Sequence, residues 1–251
     1  KAMRGVVFGL GGAQVMVTLG LVVAAAMLFG LSWQAGVALG GVLALSSTAI
    51  VSKMMAERLE LQSRHGRLVI GVLLFQDLAV VPLLILIPAL AVSGGDLTEA
   101  VGAAFLKALV LLIGLLYFGQ RLMRRWFHWV ARHKSPELFM LNVLLVTLGL
   151  AYLTGLAGLS LALGAFLAGM LISETEYRYQ VEADIQPFRD VLLGLFFVTV
   201  GMLLDLAVVA ANLGWVALAL LILVIGKGAI VFLLSRLFRH DVSVSLRTGL
   251  F

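Results

Sequence analysis

Apolar residues fall in long, almost unbroken blocks rather than in the two-residue or three-to-four-residue spacing of half-buried elements. The blocks run approximately Gly5–Phe29, Ala35–Met54, Gly66–Val92, Ala100–Leu122, Leu138–Leu153, Leu159–Ile172, Val191–Leu204 and Leu213–Leu234. About 20 such residues cross a bilayer core as a helix, so the pattern predicts an all-α integral membrane bundle of about eight transmembrane helices. Read as one helix, Leu138–Ile172 would be over ~50 Å long at 1.5 Å per residue. Two spans joined near Gly155–Gly158 fit the ~30 Å hydrocarbon core better. The seventh span, placed after Pro187, is short unless Phe188 and the residues beyond Asp205 extend it.

The connectors supply the orientation. Basic residues sit at Lys1 and Arg4, at Arg58, Arg64 and Arg67, at Arg121, Arg124, Arg125, Arg132 and Lys134, at Arg178 and Arg189, and at Arg236, Arg239 and Arg247. The alternate connectors, Gly30–Gln34, Ser93–Glu99 (with Asp96 and Glu99), Thr154–Gly158 and Asp205–Asn212, carry no Lys or Arg. The positive-inside rule then places both chain ends in the cytoplasm, and an eight-span count keeps the pattern consistent. Trp126 and Trp129 follow the arginines of the fourth connector, as an interfacial anchor does.

Composition agrees: 62% of the 251 residues are hydrophobic, 12% are charged, and mean hydropathy is +1.12. The net charge of +5 does not indicate a nucleic-acid partner, because the basic residues lie between spans on one side. With no cysteine, disulfides are excluded. The four histidines, His65, His128, His133 and His240, fall in connectors and are expected to be solvated rather than metal ligands. Gly164 with Ala168, and Ala165 with Gly169, have the four-residue spacing that lets helices approach closely. The chain begins at Lys1 and stops at Phe251 without a polar tail, so residues 1–251 are expected to be part of a longer membrane domain.

Three polar features lie inside spans: Gln76–Asp77, the run Ser46–Ser47–Thr48, and Lys227 between Gly226 and Gly228. A carboxylate at membrane depth costs ~2.5–3.5 kcal/mol on insertion scales and marks a proton or ion path, or a neutralising partner. Counted from the ends of their spans, Asp77 is ~16 Å deep and Lys227 ~12 Å deep, so the two can share a level. Lys107 is a rival partner but lies nearer the outer end of its span, where it can snorkel. Two readings stay open for the pair. It is a structural ion pair that orients helices, or Asp77 exchanges a proton for a cation while Lys227 replaces the cation in the empty site. Three adjacent hydroxyl residues favour the second, because they suit a helix whose freed carbonyls and hydroxyls can coordinate a dehydrated alkali cation. Hydroxyls bonding back one turn would explain one such residue more readily than three.

At these residues the chain resembles a known family. Ala44–Ile50, Leu73–Asp77, Leu159–Ser160 through Gly164–Gly169, Glu182–Phe188 and Gly194–Met202 are similar, in order, to motifs of the monovalent cation:proton antiporter-2 family, most of all to its Kef-type potassium/proton antiporters. The resemblance implies a sodium/proton-antiporter-like bundle with inverted repeats and broken helices, usually a homodimer, of which this chain lacks the first three and last two of thirteen spans. It implies that Asp77 binds cation and proton competitively, with Gln76, Ser46, Ser47 and Thr48 around it. Gln76 matches the neutral neighbour of Kef-type members, and Lys227 the lysine that faces the carboxylate. A single titratable acid implies electroneutral exchange. Glu182, Asp184 and Gln186 match a cytoplasmic regulatory loop, from whose glutathione-gated form the chain departs at Tyr179 and Gln186.

The expected function is therefore monovalent cation:proton antiport by alternating access, potassium/proton first and sodium/proton second, in a bacterial-type inner membrane. No cofactor is expected in this segment; the partners are the potassium or sodium ion, the proton, the bilayer and, in the full protein, a C-terminal nucleotide-binding regulatory domain. A gated cation channel needs the hydroxyl run but no titratable acid. An intramembrane Ser–His hydrolase needs a histidine at depth, and an aspartyl protease needs a second buried aspartate, so the chain is not expected to be an enzyme.

Overall fold

A computed structural model describes residues 5–91, 97–133 and 135–251, without the side chains of 97–100, 112, 115 and 116. Lys1, Arg4, Asp96, Lys134 and most of the Ser93–Glu99 connector therefore lie outside the described residues, as does the side chain of Glu99. The described residues form helices and their connections: α1 (Gly5–Leu28, π-helical over Gly5–Gly11), α2 (Trp33–Ala44), α3 (Thr48–Glu57), α4 (Arg64–Leu90), α5 (Leu97–Gly114), α6 (Gln120–Ala131), α7 (Pro136–Leu156), α8 (Leu161–Ser173), α9 (Arg178–Met202), α10 (Leu206–Ala211), α11 (Leu213–Leu237) and α12 (Val242–Leu250). Among the described residues, six helical stretches are long and apolar enough to cross a membrane, counting α2 and α3 as one, and Val101–Leu111 and Leu161–Ser173 are shorter apolar helices. Each of the eight predicted blocks falls on one of these stretches, though the fourth runs past Val101–Leu111 and the seventh covers only the second half of α9.

Two compact units divide the chain, Lys1–Leu83 with Val209–Phe251 and Leu84–Val208. In the first, α1 and α2 pack through small residues. A Cβ added at Gly36 would lie 3.0 Å from Val23 Cα, and one at Gly40 would lie 3.1 Å from Leu19 Cα. Without a hydrophobic driving force between helices in lipid, such close backbone approach supplies the dispersion contact that holds them. The same device joins α11 to α12, where a Cβ at Gly228 would lie 2.9 Å from Gly249 O. Small apolar clusters complete the unit: Val51, Met55, Val69 and Leu73 on α3 and α4, and Leu10, Leu68 and Val72 on α1 and α4.

In the second unit, the predicted division near Gly155–Gly158 is a turn. Gly158 takes φ +78, and Ser160 caps α8 by accepting from Leu163 N at 3.1 Å. Of the two small-residue pairs, Gly164–Ala168 is the one that packs: both are buried, and a Cβ on Gly164 would meet Ala151 Cα at 2.6 Å. Gly169 faces open space. Phe127, Val130, Phe139, Val143, Ile172 and Val181 form the core.

Three expectations change. α9 begins at Arg178, ahead of Pro187, so Glu182, Asp184 and Gln186 lie on a helix and not on a loop. Proline removes one backbone bond, and burial of Val181 with packing of Ile185 against the unit's core holds the turns before it. His65 is not a solvated connector residue. It is buried in the first turn of α4, 3.1 Å from Ser63 Oγ and 3.3 Å from Glu60 Oε2. His128 lies on α6, with Nδ1 at 3.2 Å from the Tyr177 hydroxyl. Trp126 and Trp129 are exposed on α6, as an interfacial anchor requires.

Candidate functional site

The second span is broken where the three hydroxyl residues predicted it. α2 ends at Ala44, Leu45 is extended (φ −80, ψ 154), and α3 starts at Thr48 with Ser47 (φ −76, ψ 102) as its N-cap, its side chain accepting from Ile50 N at 3.3 Å. A helix end at this depth leaves carbonyls and N–H groups without intrahelical partners, and water is scarce. The backbone closes one of them itself, Val42 O accepting from Leu45 N at 3.3 Å, and side chains from other helices take up more. Ala44 O accepts from Gln14 Nε2 at 3.1 Å. Leu43 O accepts from Lys227 Nζ at 3.1 Å, and Leu45 O accepts from the same ammonium. Ser46 N donates to Gln76 Oε1 at 2.8 Å.

Gln76 is fully engaged, because its Nε2 also donates to Gln14 Oε1 at 2.8 Å, and Gln14 Nε2 reaches Thr18 Oγ1 at 3.2 Å. Both glutamines are buried, at 2% and 0% exposure, and an amide left unpaired there would cost about 1–3 kcal/mol. Gln14 and Thr18 were not singled out from the sequence. The signal was available: Gln14 is a lone amide within an apolar block, the same kind of costly residue as Asp77.

Asp77 is exposed, and not buried as the sequence reading expected. Consecutive helical residues are 100° apart, so with Gln76 turned inward Asp77 emerges on the neighbouring face of α4, which the described residues leave open. Its carboxylate accepts from Thr48 Oγ1, at 3.1 Å to Oδ1 and 3.2 Å to Oδ2. Thr48 is the first residue of α3, so the negative charge faces the positive end of a helix dipole. The Lys227 counter-charge also differs from expectation. Among the described residues, the ion pairs are Arg64–Asp241, His65–Glu60 and Arg189–Asp190, and none joins Lys227 to Asp77. The broken α2 presents two carbonyls at the level of Lys227, and the ammonium satisfies those, offsetting the negative end of that helix.

Of the predicted site residues, the structure thus brings Ser46, Ser47, Thr48, Gln76, Asp77 and Lys227 to one break, but divides their labour. Gln76 and Lys227 hold the backbone, Ser47 caps, and Asp77 with Thr48 presents oxygens. A cavity of about 280 Å³ reaches this break within the first unit, lined by Ser46, Gln76, Lys227, Thr248 and Phe251 among others. No group of three or more His, Cys, Asp or Glu side chains suited to a metal occurs among the described residues. Asp77 and Thr48 present a carboxylate and a hydroxyl, hard oxygen donors unlike the sulfur and imidazole ligands that soft or borderline metals select. Glu182, Asp184 and Gln186 belong to the other unit; Asp184 Oδ2 is buried without a hydrogen-bond partner among the described residues.

Comparison with known proteins gives this geometry a family. The chain is 44% identical to K(+) efflux antiporter 2, chloroplastic, and 44% identical to K(+) efflux antiporter 1, chloroplastic, both of Arabidopsis thaliana, over 100% of its own length and 22% of theirs. It is 45% identical to a protein of Alkalimonas amylolytica provisionally named K(+) efflux antiporter KefB, over 99% of this chain and 38% of that one. The chain thus spans well under half the length of these relatives. The family model described as sodium/hydrogen exchanger, transmembrane, matches residues 2–251. The chain belongs to the sodium/hydrogen exchanger family, as a segment of integral membrane helices.

Proposed function

We propose that this chain carries the ion-binding half-site of a potassium/proton antiporter, in which Asp77 holds a potassium ion or a proton in alternation. The observation that supports this most is the contact of the carboxylate with Thr48 at the start of α3, beside a break at which Gln76 and Lys227 already hold freed backbone groups. Asp77 is the acidic group at the break that is free to exchange ligands. One carboxylate cannot hold a proton and a cation together, so occupancy by one displaces the other and couples the two fluxes. A single acid beside a neutral Gln76 gives one proton per cation, hence electroneutral exchange. Further spans of the longer protein would cover the open face of α4 on one side of the membrane at a time, which is the alternating access that transport requires.

Potassium is favoured over sodium because the relatives above are named as K(+) efflux antiporters. The same relatives are consistent with a bacterial plasma membrane, through the Alkalimonas protein, or an organelle of bacterial descent. A homodimer and a C-terminal nucleotide-binding domain are part of the proposal for the full protein, as are cytoplasmic positions for both ends of this segment.

Cation/proton exchange by the full-length protein in proteoliposomes tests the reading. With Asp77→Asn, cation-driven proton movement falls to the level of empty vesicles, while the protein still inserts and elutes as wild type. Exchange near the wild-type rate would sink the assignment. A steady, uncoupled cation current that ignores the substitution would replace it with the channel reading.

A further inference from the structure

The first unit has a second polar concavity, distinct from the break. A cavity of about 330 Å³ opens where α4 begins and α11 gives way to α12. Three arginines line it: Arg64 and Arg67 from the first turn of α4, and Arg239 from the turn after α11. Its apolar wall comes from Val6, Leu68 and Val244. Neither the break nor its hydrogen-bond network uses any of these side chains.

The charge is not cancelled locally. Asp241 is the acid in the lining, and its contact with Arg64 is 3.9 Å long with both side chains about four-fifths exposed (80% and 77%). An exposed pair at that distance is weak, so three guanidinium groups face one loosely held carboxylate. The Asp241 side chain does not cap α12, although it occupies the N-cap position, and the positive end of that helix therefore adds to the potential. Arg239 follows Phe238, the C-cap of α11, and takes φ +65, a left-handed conformation for which helices ordinarily use glycine. The turn is closed around it by Arg239 N to Arg236 O at 2.9 Å, His240 N to Ser235 O at 3.1 Å and Arg236 Nη1 to His240 O at 2.6 Å. A strained backbone holds an arginine at the rim of a basic cavity.

We infer that Arg64, Arg67 and Arg239 bind the phosphate of an anionic phospholipid at the membrane boundary. Guanidinium forks match phosphate oxygens. The location separates a lipid from a soluble phosphate. The cavity lies at the ends of helices long and apolar enough to cross a membrane, the level at which lipid headgroups sit. Clusters of this kind between helices suit anionic headgroups.

Native mass spectrometry of the full-length protein tests this with phosphatidylglycerol, phosphatidylcholine and inorganic phosphate as separate probes. Wild type retains phosphatidylglycerol in preference to phosphatidylcholine, and Arg67→Gln with Arg239→Gln weakens that retention about twenty-five-fold, taking about fivefold per arginine near a charged surface. Arg247→Gln, an exposed arginine outside the lining, leaves retention unchanged. Arg67→Lys with Arg239→Lys keeps the charge and guards against misfolding, and is expected to hold the lipid more tightly than the Gln pair. Equal retention of the two lipids, or undiminished phosphatidylglycerol in the Gln pair, would overturn the inference. Arginine-dependent binding of inorganic phosphate without a lipid adduct would overturn the lipid and leave a soluble-anion site.

Discussion

Gln76 and Asp77 are adjacent and chemically close, yet the fold gives them opposite tasks. The amide is buried and bonded at both ends, while the carboxylate keeps one hydroxyl partner on an open face. An acid in the position of Gln76 would lose the donor that reaches Gln14, and an amide in place of Asp77 would lose the charge. Thr48 then becomes the residue that tunes affinity. Its hydroxyl donates to the carboxylate, and hydrogen bonds to charged groups are worth ~1.5–3 kcal/mol. Thr48→Val removes that oxygen at nearly constant shape. In the full-length antiporter it is expected to raise the apparent KM for potassium by about tenfold or more, the change that such a bond implies, with maximal exchange within about twofold. An unchanged KM, measured by fluorescence dequenching in proteoliposomes, would remove Thr48 from the binding site.

Among elements, the break and its neighbours show what the sequence could disclose. Three adjacent hydroxyls within an apolar block were enough to locate the interruption, because only side chains able to replace backbone partners are tolerated at that depth. The cap at Ser47 follows from the same residues. The destination of Lys227 was not legible. Equal depth along two helices fixes a level but not an azimuth, and the freed carbonyls of Leu43 and Leu45 exist as acceptors only once the helix has parted. Nor was α12 visible as an element, since Val242–Leu250 is short and mixed in polarity; its place depends on Gly249 meeting Gly228 one residue from the lysine. A Cβ at Gly249 would lie 2.5 Å from Gly228 O, with backbone on both sides. Gly249→Val is therefore expected to destabilise the protein by about 1–3 kcal/mol, the usual cost of overpacking, seen as a lower unfolding temperature in detergent. A wild-type melting curve would show that α12 does not seat there.

For the molecule as a whole, the helical blocks and their interruption points followed from hydropathy and turn glycines. The α9 boundary did not, because Pro187 suggests a start and only the packing of Val181 and Ile185 reveals that the helix has already begun. Orientation remains a proposition of charge asymmetry and is open to direct measurement. The chain has no cysteine, so single replacements can be labelled one at a time. A membrane-impermeant maleimide added outside intact cells is expected to label Leu31→Cys and Leu204→Cys, both exposed near connectors without Lys or Arg, and to reach His133→Cys only after permeabilisation. The reverse pattern would invert the topology.

The glutamine-to-glutamine bond between Gln14 and Gln76 makes those two residues partners in one thermodynamic unit. Removing either strands the other, so Gln14→Leu and Gln76→Leu should each be costly, while the double replacement should cost less than their sum. Coupling between touching groups commonly runs to ~0.5–3 kcal/mol. Unfolding free energies of the two singles and the double that simply add would mean that α1 and α4 respond to damage independently. A shortfall would mean that the helix carrying the carboxylate has its azimuth set by a residue more than sixty positions away in the chain.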